Sequence, residues 1–248
     1  MSVEDDLRGL RGRLVIEASP EAVAKRLAND LALLLCQRIC ETGTTHLALS
    51  GGSSPERLYH LLATEARYTA RDWALTHLWL VDELCVPDDD PRLNFAMIRS
   101  ALLDNVPIPP ARVHAMPVAL AHGDRRYEDD LRRDLAGGRL DAAVLGMGPD
   151  GHTASLFPYS PALDERQRWV VFNDGEYVFA PRPRMTMTYP LLRATRFLAV
   201  LVTGANKHAA LLAAARAPDD LHVHPIVGIK PAKDGELVWY LDRAAVEG

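Results

Sequence analysis

The sequence predicts an α/β fold in which helices cover both faces of a mainly parallel β-sheet. Short, nearly continuous apolar segments alternate with longer helical patterns, and strands of that composition are typical of parallel sheets buried on both faces. Loops rich in glycine and serine follow several of these segments. The chain has 248 residues, of which 48% are hydrophobic, and it contains no internal repeat or low-complexity linker. We therefore expect one domain over residues 1–248.

The predicted strands and helices follow one another along the chain. We expect strands at residues 13–17, 45–50, 77–81, 140–145, 169–172, 185–188, 197–202 and 237–241. Helical patterns follow the first two strands and also cover residues 94–104, 124–136 and 205–215. Ser19 and Pro20 begin the first helix, because serine caps free backbone amides and proline suits the first turn. That helix ends near Gly43, and Ser54 and Pro55 mark the start of the second helix in the same way.

Charge and composition limit the classes of partner. A net charge of -5 at pH 7 gives no electrostatic basis for binding nucleic acid or an anionic membrane. No apolar segment is long enough to span a bilayer, and the acidic residues 1–7 lack the pattern of a secretory signal. Cys36, Cys40 and Cys85 are expected to be reduced thiols. We therefore expect a cytoplasmic protein that acts on a small molecule, as a monomer or weak homo-oligomer.

The densest set of reactive side chains lies in residues 146–158, GMGPDGHTASLFP. This segment follows a predicted strand, and open α/β sheets bind ligands at the carboxyl ends of their strands. Histidine changes its charge near neutral pH, so His152 is a candidate general base toward water. Asp150 could bind substrate hydroxyls or shape the loop. The alternative is a capped helix start with a structural histidine.

A second candidate site begins at Ser50. The predicted strand there leads into Gly51, Gly52, Ser53 and a helix start. Free backbone N–H groups at a helix N-terminus, in a loop without bulky side chains, bind phosphate. The spacing matches neither a Walker A loop nor Gly-x-Gly-x-x-Gly, so a dinucleotide is not favoured. The alternative is a simple tight turn between strand and helix.

Charged residues near other strand ends complete the candidates. Asp82 and Glu83 follow the third predicted strand, where ligands bind, but they could equally form an ordinary solvated loop. Later in the chain stand Arg182, Arg184 and Lys207. Arginine binds phosphate through paired hydrogen bonds and lysine binds it as a point charge. The alternative is that these are surface cations with no common ligand.

Together these motifs resemble those of the 6-phosphogluconolactonases. Matching segments occur in the family's order at residues 49–55, 81–87, 90–103, 145–158, 184–192, 202–212 and 235–245. The related glucosamine-6-phosphate deaminases share the Gly-x-Asp-Gly-His core of residues 148–152 but carry an acid shortly after it. Here residues 155–158 read SLFP, which is the lactonase form.

The resemblance implies a Rossmann-like three-layer α/β sandwich that hydrolyses 6-phospho-D-glucono-1,5-lactone without a metal or an organic cofactor. It implies that the catalytic residues are His152, Asp150 and Asp82. It implies that the substrate-binding residues are Ser50, Gly51, Gly52, Ser53, Asn94, Thr153, Arg184 and Lys207. The loop at Ser50, with Arg184 and Lys207, would hold the phosphate end, and His152 would lie at the lactone carbonyl.

One position departs from the family pattern. The family usually has Asp-Glu-Arg where this chain has Asp82, Glu83 and Leu84, and that arginine is thought to lie in the active site. Leucine has neither a donor nor a charge, and the loss of one oxyanion donor costs roughly 2.7–4 kcal/mol. A nearby cation such as Arg92 or Arg182 could take the arginine's place.

Two alternative functions stay open at this point. A sugar-phosphate-binding sensor would have lost catalysis together with the arginine. An amino-sugar-phosphate isomerase or deaminase would use Asp82 to abstract a proton beside a carbonyl, and the lack of an acid shortly after Phe157 counts against it.

Overall fold

The computed structural model describes residues 6–64, 70–135, 137–175 and 183–248. Within these residues the strands are β1 (Arg13–Glu17), β2 (Thr45–Leu49), β3 (Thr76–Leu80), β4 (Asp82–Leu84), β5 (Val113–His114), β6 (Ala142–Gly146), β7 (Val170–Asn173), β8 (Arg184–Met187), β9 (Phe197–Val202) and β10 (Glu236–Asp242). The α-helices are α1 (Pro20–Thr42), α2 (Ser53–Thr64), α3 (Ala70–Ala74), α4 (Asn94–Ala101), α5 (Gly123–Asp134), α6 (Tyr189–Ala194), α7 (His208–Arg216) and α8 (Arg243–Glu247).

Seven of these strands form a central sheet in the order β1-β10-β9-β6-β2-β3-β5. All the neighbouring pairs run parallel. Every residue of β9 is buried, and because alternate side chains of a strand point to opposite faces, both faces of the sheet are covered. The predicted α/β sandwich with a mainly parallel sheet is confirmed.

A second sheet, which is antiparallel, joins β4, β8 and β7 in that order. Asp82 pairs with Thr186, and Leu84 pairs with Arg184. This small sheet therefore places two positions that are far apart in sequence side by side, next to the carboxyl end of β3.

The small sheet corrects one alternative left open by the sequence. Asp82 and Glu83 do not form a solvated loop, because they lie in β4 and are only 6% and 1% exposed. Such a short strand with two acids has no apolar pattern, and its pairing depends on β8, which is distant in sequence. The segments expected as strands at residues 169–172 and 185–188 are strands, but they belong to this antiparallel sheet.

The first helix has the predicted ends. Ser19 Oγ accepts a hydrogen bond from the amide of Ala22 at 3.3 Å. Gly43 has φ 81°, and its N–H donates to the carbonyl of Ile39 at 2.8 Å. The predicted helix 124–136 corresponds to α5, with position 136 outside the described residues, and the helix expected from 205 begins with a 3-10 turn before α7. None of the described helices is both long and apolar enough to cross a membrane.

The order of the central sheet creates a binding edge. The strands β3 and β5 lie on one side of β2, whereas β9 and β10 lie on the far side of β6. The chain thus reverses its direction of travel across the sheet between β2 and β6, and open α/β sheets bind ligands at such a switch point. Because β2, β3, β6 and β9 are parallel, the loops that follow them emerge at the same edge.

Candidate active site

A cleft of about 850 Å³ opens at this edge. Its walls come from the loops after β2, β3, β6 and β9 and from the small sheet. The predicted site residues that line it are Ser50, Gly51, Gly52, Ser53, Asp82, Asn94, His152, Arg184 and Lys207. The fold therefore brings together nearly all the residues that the sequence proposed from widely separated segments.

His152 and Asp150 form a hydrogen-bonded pair beside the cleft. His152 Nδ1 lies 2.5 Å from Asp150 Oδ1, and the amide of His152 donates to the same oxygen at 3.2 Å. Burial raises the pKa of Asp150, but the hydrogen bonds and charge of His152 outweigh this and hold that pKa below its usual range. An ionised Asp150 accepts the hydrogen of Nδ1, which leaves a lone pair on Nε2 of the ring that lines the cleft. Asp150 itself is not among the residues that line the cleft.

The backbone of the loop closes tightly around His152. Gly148 donates its N–H to the carbonyl of His152 at 2.8 Å, and Gly151 donates to the carbonyl of Gly148 at 3.0 Å. A Cβ at position 148 would lie 2.0 Å from His152 Nδ1, so the loop requires glycine there. Ala154 has φ 49°, a left-handed conformation that costs of order 1–3 kcal/mol in a non-glycine residue. The amides of Gly148, Gly151 and His152 are engaged inside the loop, so these three are not available to stabilise an oxyanion.

Ser155 connects this loop to Asp82 and to the small sheet. Its Oγ donates to Asp82 Oδ2 at 2.6 Å, and its amide donates to Thr186 Oγ1 at 3.1 Å. Asn173 Nδ2 donates to the carbonyl of Ser155 at 2.8 Å. Thr153, predicted to bind substrate, is only 1% exposed and is not among the residues that line the cleft. The structure places its hydroxyl in the interior, apart from the other predicted site residues.

Asn94 reaches over the loop after β2. Its Nδ2 donates to the carbonyl of Asp82 at 2.8 Å. A Cβ at position 51 would lie 1.8 Å from Asn94 Oδ1, so Gly51 is what allows the two segments to approach. Gly52 has φ 101°, which also favours glycine. Ser50 Oγ is buried and has no hydrogen-bond partner among the described residues, so it is available to a ligand in the cleft.

Arg184 and Lys207 supply positive charge to the cleft. Arg184 Nε is buried and has no hydrogen-bond partner within the described part of the chain. Burial lowers the pKa of Lys207, and the charge of Asp150 opposes that change. Lys207 therefore lies within electrostatic range of the His152–Asp150 pair, and both cations can contact an anionic ligand.

Leu84 lines the cleft beside Arg184, its partner across the small sheet. The sequence suggested two cations in its place. Arg92 is not among the lining residues, and it forms an ion pair with Asp90 at 2.5 Å. Arg182 lies outside the described residues. Arg92 is thus engaged away from the cleft and does not replace the missing arginine.

Arg57 is a cation of the cleft that the sequence analysis missed. It lines the cleft and pairs with Glu21 through two hydrogen bonds, at 2.6 and 2.8 Å. Lys25 also contacts Glu21, at 3.2 Å, so Glu21 keeps a partner if Arg57 turns toward a ligand. The available signal was helical spacing, because Arg57 follows Ser53 by about one turn and faces the same side of α2.

Glu83 has a role different from that of its neighbour Asp82. Its buried carboxylate accepts the backbone hydrogens of Leu84 at 2.8 Å, Asn94 at 2.7 Å and Phe95 at 2.8 Å. These hydrogen bonds hold the start of α4 in place and so fix the position of Asn94. Burial raises the pKa of Glu83 to about 7, against the opposing effect of these three hydrogen bonds.

Comparison with known proteins shows what this chain is similar to. A family model described as glucosamine-6-phosphate isomerases/6-phosphogluconolactonase matches residues 18–239. The 6-phosphogluconolactonase of Nostoc sp. is 38% identical over 242 residues, which cover 93% of this chain and 96% of that protein. The 6-phosphogluconolactonase structure from Shewanella baltica has a TM-score of 0.80 and 26% identity, and the match covers 94% of this chain and 98% of that one.

Longer proteins also contain a similar region. The human GDH/6PGL endoplasmic bifunctional protein is 39% identical over 242 residues, or 94% of this chain. The chain spans 30% of the length of that relative.

We predict that Glu83→Gln changes how stability depends on pH. Folding raises the pKa of Glu83 from 4.5 to about 7, so the folded protein binds this proton more tightly than the unfolded chain. The contribution to the free energy of unfolding is therefore full below about pH 4.5 and is lost as the pH rises through 7. As the pH rises from about 5 to about 8, the free energy of unfolding of wild type should fall by about 1–3 kcal/mol relative to that of the variant.

Urea unfolding at the two pH values measures this difference, with Glu56→Gln on the exposed surface of α2 as the control for a general change of charge. If the free energies of unfolding of wild type and Glu83→Gln differ by the same amount at both pH values, the raised pKa of Glu83 is contradicted.

Proposed function

Because the chain belongs to the family of glucosamine-6-phosphate isomerases and 6-phosphogluconolactonases, we propose that it hydrolyses 6-phospho-D-glucono-1,5-lactone to 6-phospho-D-gluconate, a step of the oxidative pentose phosphate pathway. The observation that carries the proposal is the His152–Asp150 pair, set beside a cleft that also holds Arg184 and Lys207. The cleft thus combines a base for water with cations for phosphate. Residues 155–158, in the lactonase form, favour a lactone over an amino sugar.

The phosphate group binds at the start of α2. The first backbone N–H groups of a helix carry partial positive charge and point at an anion. The space beside Gly52 is open, which leaves room for the phosphate, and Ser50 Oγ offers a further hydrogen bond. Arg184, which also lines the cleft, neutralises the charge of the phosphate, whereas Lys207 acts at the reacting end of the substrate.

His152 activates the attacking water. Asp150 holds the hydrogen on Nδ1, so Nε2 takes a proton from water as the water oxygen attacks C1 of the lactone. The carbonyl π bond breaks and its electron pair moves to the carbonyl oxygen, giving a tetrahedral oxyanion. The bond from C1 to the ring oxygen then breaks, the carbonyl reforms, and the ring oxygen takes the proton back from Nε2. General-base help of this kind contributes roughly 10²–10⁴-fold in rate.

The oxyanion needs a source of positive charge other than the amides of Gly148, Gly151 and His152, which are already hydrogen-bonded within the loop. Lys207 suits this need, because its charge acts on the His152–Asp150 pair. A partly buried cation stabilises a developing negative charge more strongly than a solvated one.

We place this activity in the cytoplasm, in a protein that works as a monomer or a weak homo-oligomer. Cys36, Cys40 and Cys85 are not joined by disulfides, which suits a reducing compartment. A single chain supplies the base, the phosphate-binding loop and the cations, so catalysis needs no second subunit.

We predict that His152→Ala lowers kcat by roughly 10²–10⁴-fold with little change in KM, because the phosphate contacts remain. The assay supplies fresh lactone and follows 6-phosphogluconate through an NADP-dependent dehydrogenase, after subtraction of spontaneous hydrolysis. His60→Ala is the matched control, since His60 is exposed on α2 and does not line the cleft.

Two results would overturn the proposal: wild type that fails to exceed the spontaneous rate, or full activity in His152→Ala. Release of ammonia from glucosamine 6-phosphate would indicate the deaminase reaction instead.

We predict that Arg184→Gln raises KM for the phosphorylated lactone about 10- to 100-fold, because a hydrogen bond to a charged group contributes about 1.5–3 kcal/mol. The same variant should act on unphosphorylated glucono-1,5-lactone almost as wild type does. Arg92→Gln is the control, because Arg92 is an exposed arginine outside the cleft. An equal loss of activity on both lactones would refute a phosphate-binding role for Arg184.

Leu84 favours a second candidate function, a sensor that binds sugar phosphate without turnover. Its side chain lines the cleft and contributes no charge. We expect the enzyme to be active nonetheless, because Arg57, Arg184 and Lys207 all line the same cleft.

We predict that Leu84→Arg changes kcat less than about tenfold, since three other cations already line the cleft. Restoring a missing oxyanion donor would instead raise kcat about 10²- to 10³-fold. Turnover in the lactonase assay and binding of 6-phosphogluconate by calorimetry are measured on the same samples. Tight binding by wild type without turnover, together with turnover by Leu84→Arg, would establish the sensor.

A further inference from the structure

Three polar side chains converge outside the cleft, at the outer part of the central sheet. They are His77 on β3, His114 on β5 and Asp134 at the end of α5. His77 Nδ1 lies 3.0 Å from His114 Nε2. One ligand atom from each of the three residues lies within 4.8 Å of the other two. The cluster thus draws on three separate elements, and none of its members lines the cleft.

The two imidazoles are held in place by aromatic packing. The ring of Trp79 lies parallel to that of His114, with 3.6 Å between centroids and 3° between planes. His46 stacks on His77 at 4.5 Å between centroids, and its Nδ1 accepts a hydrogen bond from Trp79 Nε1 at 3.2 Å. These contacts restrict ring rotation and hold the two facing nitrogen atoms close together.

The three side chains also have suitable chemistry for a metal ion. A neutral imidazole and a carboxylate are ligands that transition-metal ions prefer.

We propose that His77, His114 and Asp134 bind a divalent transition-metal ion such as Zn²⁺ or Co²⁺. Two ligands of one such ion, each about 2.0–2.2 Å from it, lie roughly 3–3.5 Å apart, close to the separation of the two ring nitrogens. One oxygen of Asp134 lies within 4.8 Å of both ligand nitrogens and completes the set when the side chain turns toward the ion. Three protein ligands leave a coordination position for water.

Binding requires no net release of protons from the histidines. The single hydrogen between His77 Nδ1 and His114 Nε2 moves through solvent to the other nitrogen of its own ring. Both facing lone pairs then become available to the metal ion.

The positive charges of two arginines disfavour metal binding at this cluster. Arg133 donates to both oxygens of Asp134, at 2.8 and 3.1 Å, and its side chain is 62% exposed. The charge of Arg112 also acts on His77. The metal ion must therefore displace Arg133 from Asp134, which predicts that Arg133→Gln strengthens binding. An exposed ion pair contributes at most about 1 kcal/mol, which corresponds to about fivefold in affinity.

The test titrates Co²⁺ alone into the metal-free protein near neutral pH. Calorimetry gives the affinity, and tryptophan fluorescence reports location, because a paramagnetic ion bound to His114 quenches the adjacent Trp79. The variants are His77→Gln, Asp134→Asn and Arg133→Gln, with His60→Gln as an exposed histidine control. Far-UV circular dichroism checks that each variant is folded. If His77→Gln does not fold, the affinity of Asp134→Asn for Co²⁺ decides the test.

We expect one saturable site that quenches fluorescence, reversed by a chelator. Its affinity should fall at least tenfold in His77→Gln and Asp134→Asn, rise up to about fivefold in Arg133→Gln, and stay unchanged in His60→Gln. The absence of saturable binding to wild type would overturn the proposal. Equal affinity in wild type and Asp134→Asn would overturn it as well, because the metal ion would then be bound elsewhere.

Discussion

The parallel pairing of β6 with β2 on one side and β9 on the other positions the polar groups of the cleft. Leu49 pairs with Val144, which pairs in turn with Ala199. The loops that carry His152 and Lys207 therefore leave the sheet side by side. A slip of one residue would move a strand by about 3.3 Å and turn its buried side chains to the opposite face. The burial of apolar strands thus determines where the reactive side chains stand.

The small antiparallel sheet also positions residues of the cleft. Successive residues of a strand point to opposite sides, so Asp82 meets Ser155 at the cleft while Glu83 turns to the start of α4. The antiparallel register sets Leu84 beside Arg184. One short strand therefore links the loop that contains His152, the helix that begins at Asn94 and the positive charge of Arg184.

The sequence was sufficient for those features that depend on local pattern. A strand buried on both faces is a continuous apolar segment, and the glycine-rich loop after β6 was recognised as a candidate site from its own residues. The hydrogen bond between His152 and Asp150 within that loop was not predicted. The sequence was insufficient where contacts join distant segments. The pairing of Leu84 with Arg184 has no local signal, because a three-residue strand containing two acids resembles a loop until its partner is known. Arg57 was missed because its position in the cleft depends on how α2 sits against the sheet.

The position of β1 bears on how the protein is made. This strand is at one edge of the central sheet, where it pairs with β10, residue by residue from Arg13 with Val238 to Glu17 with Asp242. During synthesis β1 emerges early, but it cannot take its place until residues 236–242 have left the ribosome. Until then β1 is unpaired, although the growing chain already contains other apolar strands. Closure of the sheet therefore waits until its last strand has been made, and pairings of high sequence separation are the slow ones.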